Sequence, residues 1–385
     1  MKYVKKRLVI AVAGAIALVL AATAALTLLN RPADGAGAAE SGVAENRMGE
    51  SASSATCRTE AFEVQLDELG ADPHEVLGQF CVRGEADTST PIQILLHGGA
   101  YDHHYWDWPY QPSTYSYVEH ATRAGYATLN LDRLGYGASS RPDPELLDFD
   151  LGAQAVRQVV EDVRSGVLGP AFETVILNGH SMGGLVAERA IALGGIDAAI
   201  VSGIAPDIED ATNQAGPEGD TDPEGDTDTG SEDGPPEADG PPFHPASEDP
   251  AFSTEPWADG YLTTVPGARE QIFLYPGAFD PAVLEFEESL KDTVPSAELE
   301  AVQSDDSAED PDAAPVEPGA QAPLVYVLGE HDAIACDGSD CMDDEEGSAA
   351  DYIVPGSVHS INVSHGATEF YEWTFEWLRE QGLAT

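Results

Sequence analysis

The 385-residue chain carries 17 Lys and Arg against 69 Asp and Glu, a formal net charge of −52. Phosphate binding needs cationic surface, so this balance excludes nucleic acid as a partner and makes anionic substrates unwelcome. The same carboxylates favour solubility in high salt, and the length allows one large α/β core interrupted by inserts.

Lys2, Lys5, Lys6 and Arg7 precede a charge-free, largely apolar run from Leu8 to Leu29. Residues 1–30 therefore read as a signal peptide or as an N-terminal membrane anchor, the run being long enough to span a bilayer. Residues 31–56, rich in Gly, Ala, Ser and Glu, read as a flexible linker. Either reading places the rest of the chain outside the cytoplasm, secreted or held at the extracellular surface. Four cysteines, Cys57, Cys81, Cys336 and Cys341, agree with an oxidising compartment. Of the three possible connectivities, local pairing of 57 with 81 and 336 with 341 is the simplest. A zinc site is the rival, but no Cys-x-x-Cys spacing occurs.

The first part of the core is expected over 57–206. Ala61–Leu66 and Gln79–Arg83 alternate apolar with polar residues, as antiparallel edge strands do. Pro91–Leu96 is more uniformly apolar, as a parallel strand buried on both faces should be, and it ends in His97-Gly98-Gly99. An aromatic-rich segment from Tyr101 to Tyr117 and a helix-like stretch around Val118–Arg123 lead to another strand, Tyr126–Leu131. The loop Asp132-Arg-Leu-Gly-Tyr-Gly-Ala-Ser139 follows, with Asp132 and Arg133 expected to fix it to neighbouring backbone. Phe149–Val163 has apolar positions at helical spacing.

Thr174–Asn178 is a strand that breaks at Gly179-His-Ser-Met-Gly183, and a helix-forming segment follows at once. Strand, sharp turn and helix around a central Ser make a nucleophile elbow, in which glycines two residues either side of Ser181 leave room for the backbone. Ala198–Ser202 reads as the next strand.

From 207 to 250 the chain is acidic, lacks Lys and Arg, and duplicates Pro-Glu-Gly-Asp-Thr-Asp at 217–222 and 223–228. It is expected to be a disordered insert, although alternating Asp also suits a calcium loop. Residues 251–302 contain Trp257, Tyr261, Phe273, Tyr275, Phe279 and Phe286 and read as a small cap, a minority of these aromatics lining a pocket. A second acidic, low-complexity linker covers 303–322. The second part of the core, 323–385, holds a strand at Pro323–Leu328, a short one at Asp351–Val354, and a helix over Thr368–Arg379. Strands alternating with helices predict an α/β fold with a mostly parallel sheet of about eight strands.

Three loops after parallel strands now carry Ser181, Asp332 and His359 in that order. A serine needs a base to attack at neutral pH, and the base needs a carboxylate to hold its tautomer. The N–H groups of Gly99 and Met182 are the candidates for stabilising an oxyanion. Asp207 is a second possible position for the acid and His365 for the base, each less favoured. His97, His103, His104 and His331 are read as loop or pocket-wall residues.

His97-Gly-Gly99, Asp132–Ser139, Gly179-His-Ser-Met-Gly183, Gly329-Glu-His-Asp332 and His359-Ser-Ile-Asn362 together resemble the α/β-hydrolase superfamily, in its secreted serine esterase or lipase-like branch. The resemblance implies helices on both faces of the sheet, a cap after the sixth strand, Ser181 as nucleophile, Asp332 as orienting acid and His359 as general base. It implies hydrolysis of a small-molecule ester through an acyl-enzyme, with no metal and no organic cofactor, and the aromatic cap and strongly negative charge favour a neutral or cationic ester. An amidase or aminopeptidase, or a cofactor-free haloperoxidase, uses the same fold. A non-catalytic surface binding module is a further alternative. Epoxide hydrolases and haloalkane dehalogenases share the Asp132–Ser139 type of loop but require Asp where this chain has Ser181.

Overall fold

The computed structural model describes residues 54–205, 242–252, 254, 256–303, 322–336, 340–342 and 349–384. The expected leader, nearly all of the linker, most of both acidic tracts and Asp207 lie outside these residues. No helix among the described residues is long and apolar enough to cross a membrane.

The core begins with β1 (Thr56–Val64) and β2 (His74–Val82), followed by β3 (Ile92–Leu96), β4 (Ala127–Leu131), β5 (Val175–His180) and β6 (Ala198–Ser202). After β6 come three short strands, β7 (Phe243–Pro245), β8 (Tyr261–Thr264) and β9 (Thr293–Pro295), and then β10 (Leu324–His331) and β11 (Tyr352–Val358). The main sheet has eight strands in the order β1-β2-β4-β3-β5-β6-β10-β11. One strand, β2, runs opposite to the other seven. It pairs antiparallel with both β1 and β4, so it is an interior strand and not the second edge that its alternation suggests. Every residue of β3, β4, β5 and β6 is buried, the polar Gln93, Thr128, Asn130, Asn178, His180 and Ser202 included, as central parallel strands require.

Helices α1 (Pro112–Tyr115), α2 (Tyr117–Arg123), α3 (Phe149–Ser165) and α4 (Met182–Ala192) lie in the first part of the core. The Asp148 side chain caps α3 by accepting from the Leu151 N–H at 2.9 Å, and Gly166, at φ 93°, ends it. Val156, Val159, Val160 and Val163 of α3 and Val186 and Ala190 of α4 pack into one apolar cluster with β3, β4 and β5. A second cluster gathers Tyr101, Tyr105, Trp106 and Tyr117 with Phe370, Tyr371 and Phe375. These two clusters are the two faces of one sheet, each covered by helices.

The segment between β6 and β10 carries the small antiparallel sheet β7-β8-β9 and the helices α5 (Arg269–Phe273), α6 (Val283–Ser289) and α7 (Ser296–Gln303). Strand β7 falls inside the stretch that composition assigned to the acidic insert. It forms because β8 offers a partner edge and because Lys291 reaches Asp249 just beyond it, at 2.8 Å. The terminal helix α8 (Ala367–Glu380) closes the fold, with Phe370 and Phe375 buried and Trp373 stacked on Tyr352 at 4.9 Å. Disulfides join Cys57 to Cys81, directly opposite each other on β1 and β2, and Cys336 to Cys341.

Candidate active site

Strand β5 delivers the chain to Ser181, whose φ of 52° and ψ of −126° are held by the packing around it. Its N–H donates to the Ser202 carbonyl at 2.7 Å, and its own carbonyl accepts from the N–H groups of Gly184 and Leu185 at 2.7 and 3.1 Å. A Cβ on Gly179 would stand 2.8 Å from the Gly184 Cα, and one on Gly183 would press on the Leu96 and His97 carbonyls. Glycine at both positions is thus required by a close approach of backbones.

The carboxylate and imidazole arrive on β10 and β11. Gly329 pairs with Val354 but His331 pairs with Val358, so β11 contains two more residues than β10 over this step. The bulge lets Asp332 and His359 leave the sheet side by side. Sequence reasoning ended β11 at Val354 because Pro355 and Gly356 follow, and the structure carries it to Val358.

His359 Nδ1 lies 2.9 and 3.1 Å from the two Asp332 oxygens, and His359 Nε2 lies 3.1 Å from Ser181 Oγ. An ionised carboxylate only accepts, so Nδ1 carries the proton and Nε2 presents its lone pair to the hydroxyl. Asp332 Oδ1 also accepts from the N–H groups of Ile334 and Ala335 at 3.2 and 3.0 Å. Asp332 is fully buried and His359 is 2% exposed. Cys336 donates its N–H to the Asp332 carbonyl, so the second disulfide sits in the turn that shapes this carboxylate.

The loop after β3 crosses the tip of the elbow. A Cβ on Gly98 would lie 3.1 Å from the Ser181 Cβ, and one on Gly99 would meet the Met182 side chain. Both ring nitrogens of His97 meet backbone groups. Its Nδ1–H donates to the Gly98 carbonyl at 2.8 Å and its Nε2 accepts from the Arg133 N–H at 3.1 Å, and burial, with Arg133 beside it, brings it down to about 3. His180, next to the serine, stacks on Tyr105 at 4.5 Å and is held well below its ordinary value, chiefly by burial. His365 is exposed and donates its N–H to the Ala278 carbonyl, whereas His331 stacks on Tyr275 and faces Asp340.

Asp132 accepts from the N–H groups of His103 and Ala138 at 3.0 and 2.9 Å and from the His103 ring at 2.7 Å. Against burial, which raises it, these bonds hold its carboxyl at about 2. Arg133 donates through Nε to the His97 carbonyl at 2.9 Å and forms a two-pronged pair with Glu298 of α7, at 2.6 and 3.0 Å. The aromatics of the cap were visible in the sequence; Glu298, Glu287, Asp292 and the cations Arg269 and Lys291, which pair with Glu287 and with Asp249 and Glu288, were not. One signal could have found the cations. Arg269 and Lys291 are the only basic residues between 251 and 302, and both are buried. Among the described residues, Asp102, His103 and His104 each bring a possible metal-ligating atom within 4.8 Å of the others. The ring Nδ1 atoms are occupied, by Asp132 and Asp102 respectively, at 2.7 Å. Of the cap aromatics, Phe279 borders a cavity of about 560 Å³ with Tyr115, Asp280, Leu284 and His365.

Burial, aided by nearby Asp102, pushes the Asp292 carboxyl up to about 7. The unfolded chain gives up this proton near 3.8, so between about 3.8 and 7 the folded state binds more protons and stability falls as pH rises. We expect Asp292→Asn to melt several degrees above the native chain at pH 8 and to lose that advantage towards pH 4, the whole effect being at most roughly 4 kcal/mol at about 1.4 kcal/mol per unit. Thermal melts followed by circular dichroism across this range check it; parallel curves would remove Asp292 from the account.

Residues 93–373 match the sequence profile described as "Alpha/beta hydrolase family". Similar solved structures include an epoxide hydrolase A from Mycobacterium thermoresistibile, 16% identical, with a TM-score of 0.49 over 84% of this chain and 98% of that one. They also include a membrane phospholipase A described as a bacterial virulence factor, 16% identical, with a TM-score of 0.46 over 84% and 86%. A third is the N-acyl homoserine lactonase AidH complexed with N-butanoyl homoserine, 12% identical, with a TM-score of 0.46 over 84% and 97%. No curated protein sequence matches the chain significantly. The profile covers well over half of the chain and the eight-stranded sheet has the matching architecture, and so the chain belongs to the alpha/beta hydrolase family of enzymes.

Proposed function

We propose that the protein is a secreted or surface-tethered serine hydrolase that cleaves carboxylic esters through an acyl-enzyme. The observation that carries this reading is the unbroken hydrogen-bonded line from Ser181 Oγ through His359 to Asp332. In this reading His359 Nε2 removes the hydroxyl proton as Ser181 Oγ attacks the ester carbonyl, and Asp332 stabilises the imidazolium through Nδ1. The N–H groups of Gly99 and Met182 receive the charge that develops on the carbonyl oxygen, the latter aided by the N-terminus of α4. His359 returns its proton to the leaving alcohol, and water then repeats the sequence to release the acid. Two disulfides and the basic-then-apolar leader support an extracellular location. The strongly negative field favours neutral or cationic esters.

A fluorophosphonate probe followed by a panel of p-nitrophenyl esters tests the proposal. The native enzyme should take up one probe per chain and Ser181→Ala none, with esterolysis lost in parallel. Labelling that survives in Ser181→Ala would move the nucleophile elsewhere, and labelling without esterolysis would favour amides.

A further inference from the structure

We infer that Arg269 and Glu287, an ion pair buried within the cap, are positioning residues that set the loop carrying the Gly99 N–H; this rests on the role proposed for Gly99 above. The pair is 1% and 0% exposed, with Arg269 Nε donating to Glu287 Oε2 at 2.8 Å. Removing two charges from water costs about as much as such a pair returns, so stability alone gives little reason to keep it. What it holds is more informative. Ala100, directly after Gly99, has a φ of 56°, a conformation that a residue with a Cβ rarely adopts. Its carbonyl accepts from Arg269 Nη1 at 3.0 Å and from the Asp292 N–H at 3.1 Å, both from the segment between β6 and β10. The Arg269 guanidinium also lies 4.3 Å over the Tyr101 ring and 4.9 Å over Phe273. Ala100 and Tyr101 are thus clamped by one side chain, and the path of Gly98 and Gly99 across Ser181 follows from that clamp.

Glu287 extends the same network to the other side of the site. Tyr101 donates its hydroxyl proton to Glu287 at 2.8 Å, so it can only accept from the Ser360 hydroxyl at 2.7 Å. Ser360 follows His359 and donates its N–H to the Phe273 carbonyl at 3.1 Å, while the Phe273 ring stacks on His359 at 6.0 Å. One buried pair therefore reaches the loop proposed to bind the oxyanion and the loop that carries the imidazole. Neither residue is within a motif of the elbow, and neither touches Ser181.

The test uses the full-length enzyme with Arg269→Met and Glu287→Met combined, so that no charge is left buried alone, and separately Tyr101→Phe, which removes a single hydroxyl. In the double variant we expect kcat on a p-nitrophenyl ester to fall about 30- to 100-fold with KM changed by less than about 3-fold, as when an oxyanion donor is misplaced. Fluorophosphonate capture should slow by a similar factor, still at Ser181. Tyr101→Phe should slow kcat by about 3- to 10-fold, a partial version of the same effect that remains measurable if the double variant does not fold. The amide resonances of Gly99 and Ala100 in a 15N correlation spectrum should move in both variants, and they are read without turnover. A kcat within about 3-fold of the native value, with the Gly99 resonance unmoved, would overturn the inference. A native enzyme that takes up no probe would instead strike at the assignment of Ser181, and the Gly99 resonance would then decide the placement by itself.

Discussion

Replacing Asp332 with Asn is expected to lower kcat by on the order of 10³- to 10⁴-fold while leaving KM and the fold nearly unchanged. The reason lies in the direction of the hydrogen bonds. Among the described residues the Asp332 carboxylate accepts from three groups, His359 Nδ1 and the N–H groups of Ile334 and Ala335. An Asn side chain has one oxygen, and the two backbone donors compete to keep it. Its NH₂ group then faces His359 Nδ1, which must accept, and the ring proton moves to Nε2. An imidazole in that tautomer stands 3.1 Å from Ser181 Oγ with nothing to offer it but another proton. Steady-state kinetics on the best p-nitrophenyl ester, with a thermal melt as control, measures the effect. A loss below about 10-fold would mean that another carboxylate orients the imidazole.

Glu298→Gln should be the most destabilising single change among these sites, by about 3 to 5 kcal/mol, because it leaves the Arg133 guanidinium buried without its counter-charge. Both groups are almost wholly sealed, at 3% and 1% side-chain exposure. Glu298 also accepts from the Tyr136 hydroxyl, and the Arg133 guanidinium rests 4.3 Å over the Tyr136 ring. At about 2 to 4 °C per kcal/mol for a domain of this size, the melting temperature should drop by roughly 6 to 20 °C. Replacing both partners with Met should recover most of that loss, since the cost is that of one orphaned charge. If the single and double variants melt alike, the pair is not what joins α7 to the loop after β4.

The strands were legible where burial on both faces leaves mostly apolar positions, as in Ile92–Leu96, whose one polar residue is Gln93, and Val175–Leu177. The elbow was legible because its glycines answer to backbone contacts a few residues away. The three side chains that come together, Ser181, Asp332 and His359, could be picked out from chain order and loop position. Their meeting is expected as well, because loops after parallel strands converge at one edge of the sheet; what the sequence does not show is the bulge in β11 across Pro355 and Gly356 that brings Asp332 and His359 together, since those residues read as an ending. The buried charges of the cap were hidden for a related reason. Whether Glu287 or Glu298 is solvated or sealed is decided by Arg269 and Arg133, and the second of these lies 165 positions away. Strand β7 was missed because Phe243-His-Pro245 has no pattern of its own and borrows its geometry from β8.

The condition of His97 and His180 has a consequence for the proton inventory of the pocket. Both rings are neutral throughout the physiological range, the first tied down at each nitrogen and the second pressed flat against Tyr105. With the protonated form of each disfavoured by burial, neither ring is a good store for a hydrogen ion. A proton released by the serine in the proposed reaction therefore has one carrier, and labelled-histidine spectra can follow that carrier without interference from the two rings beside it.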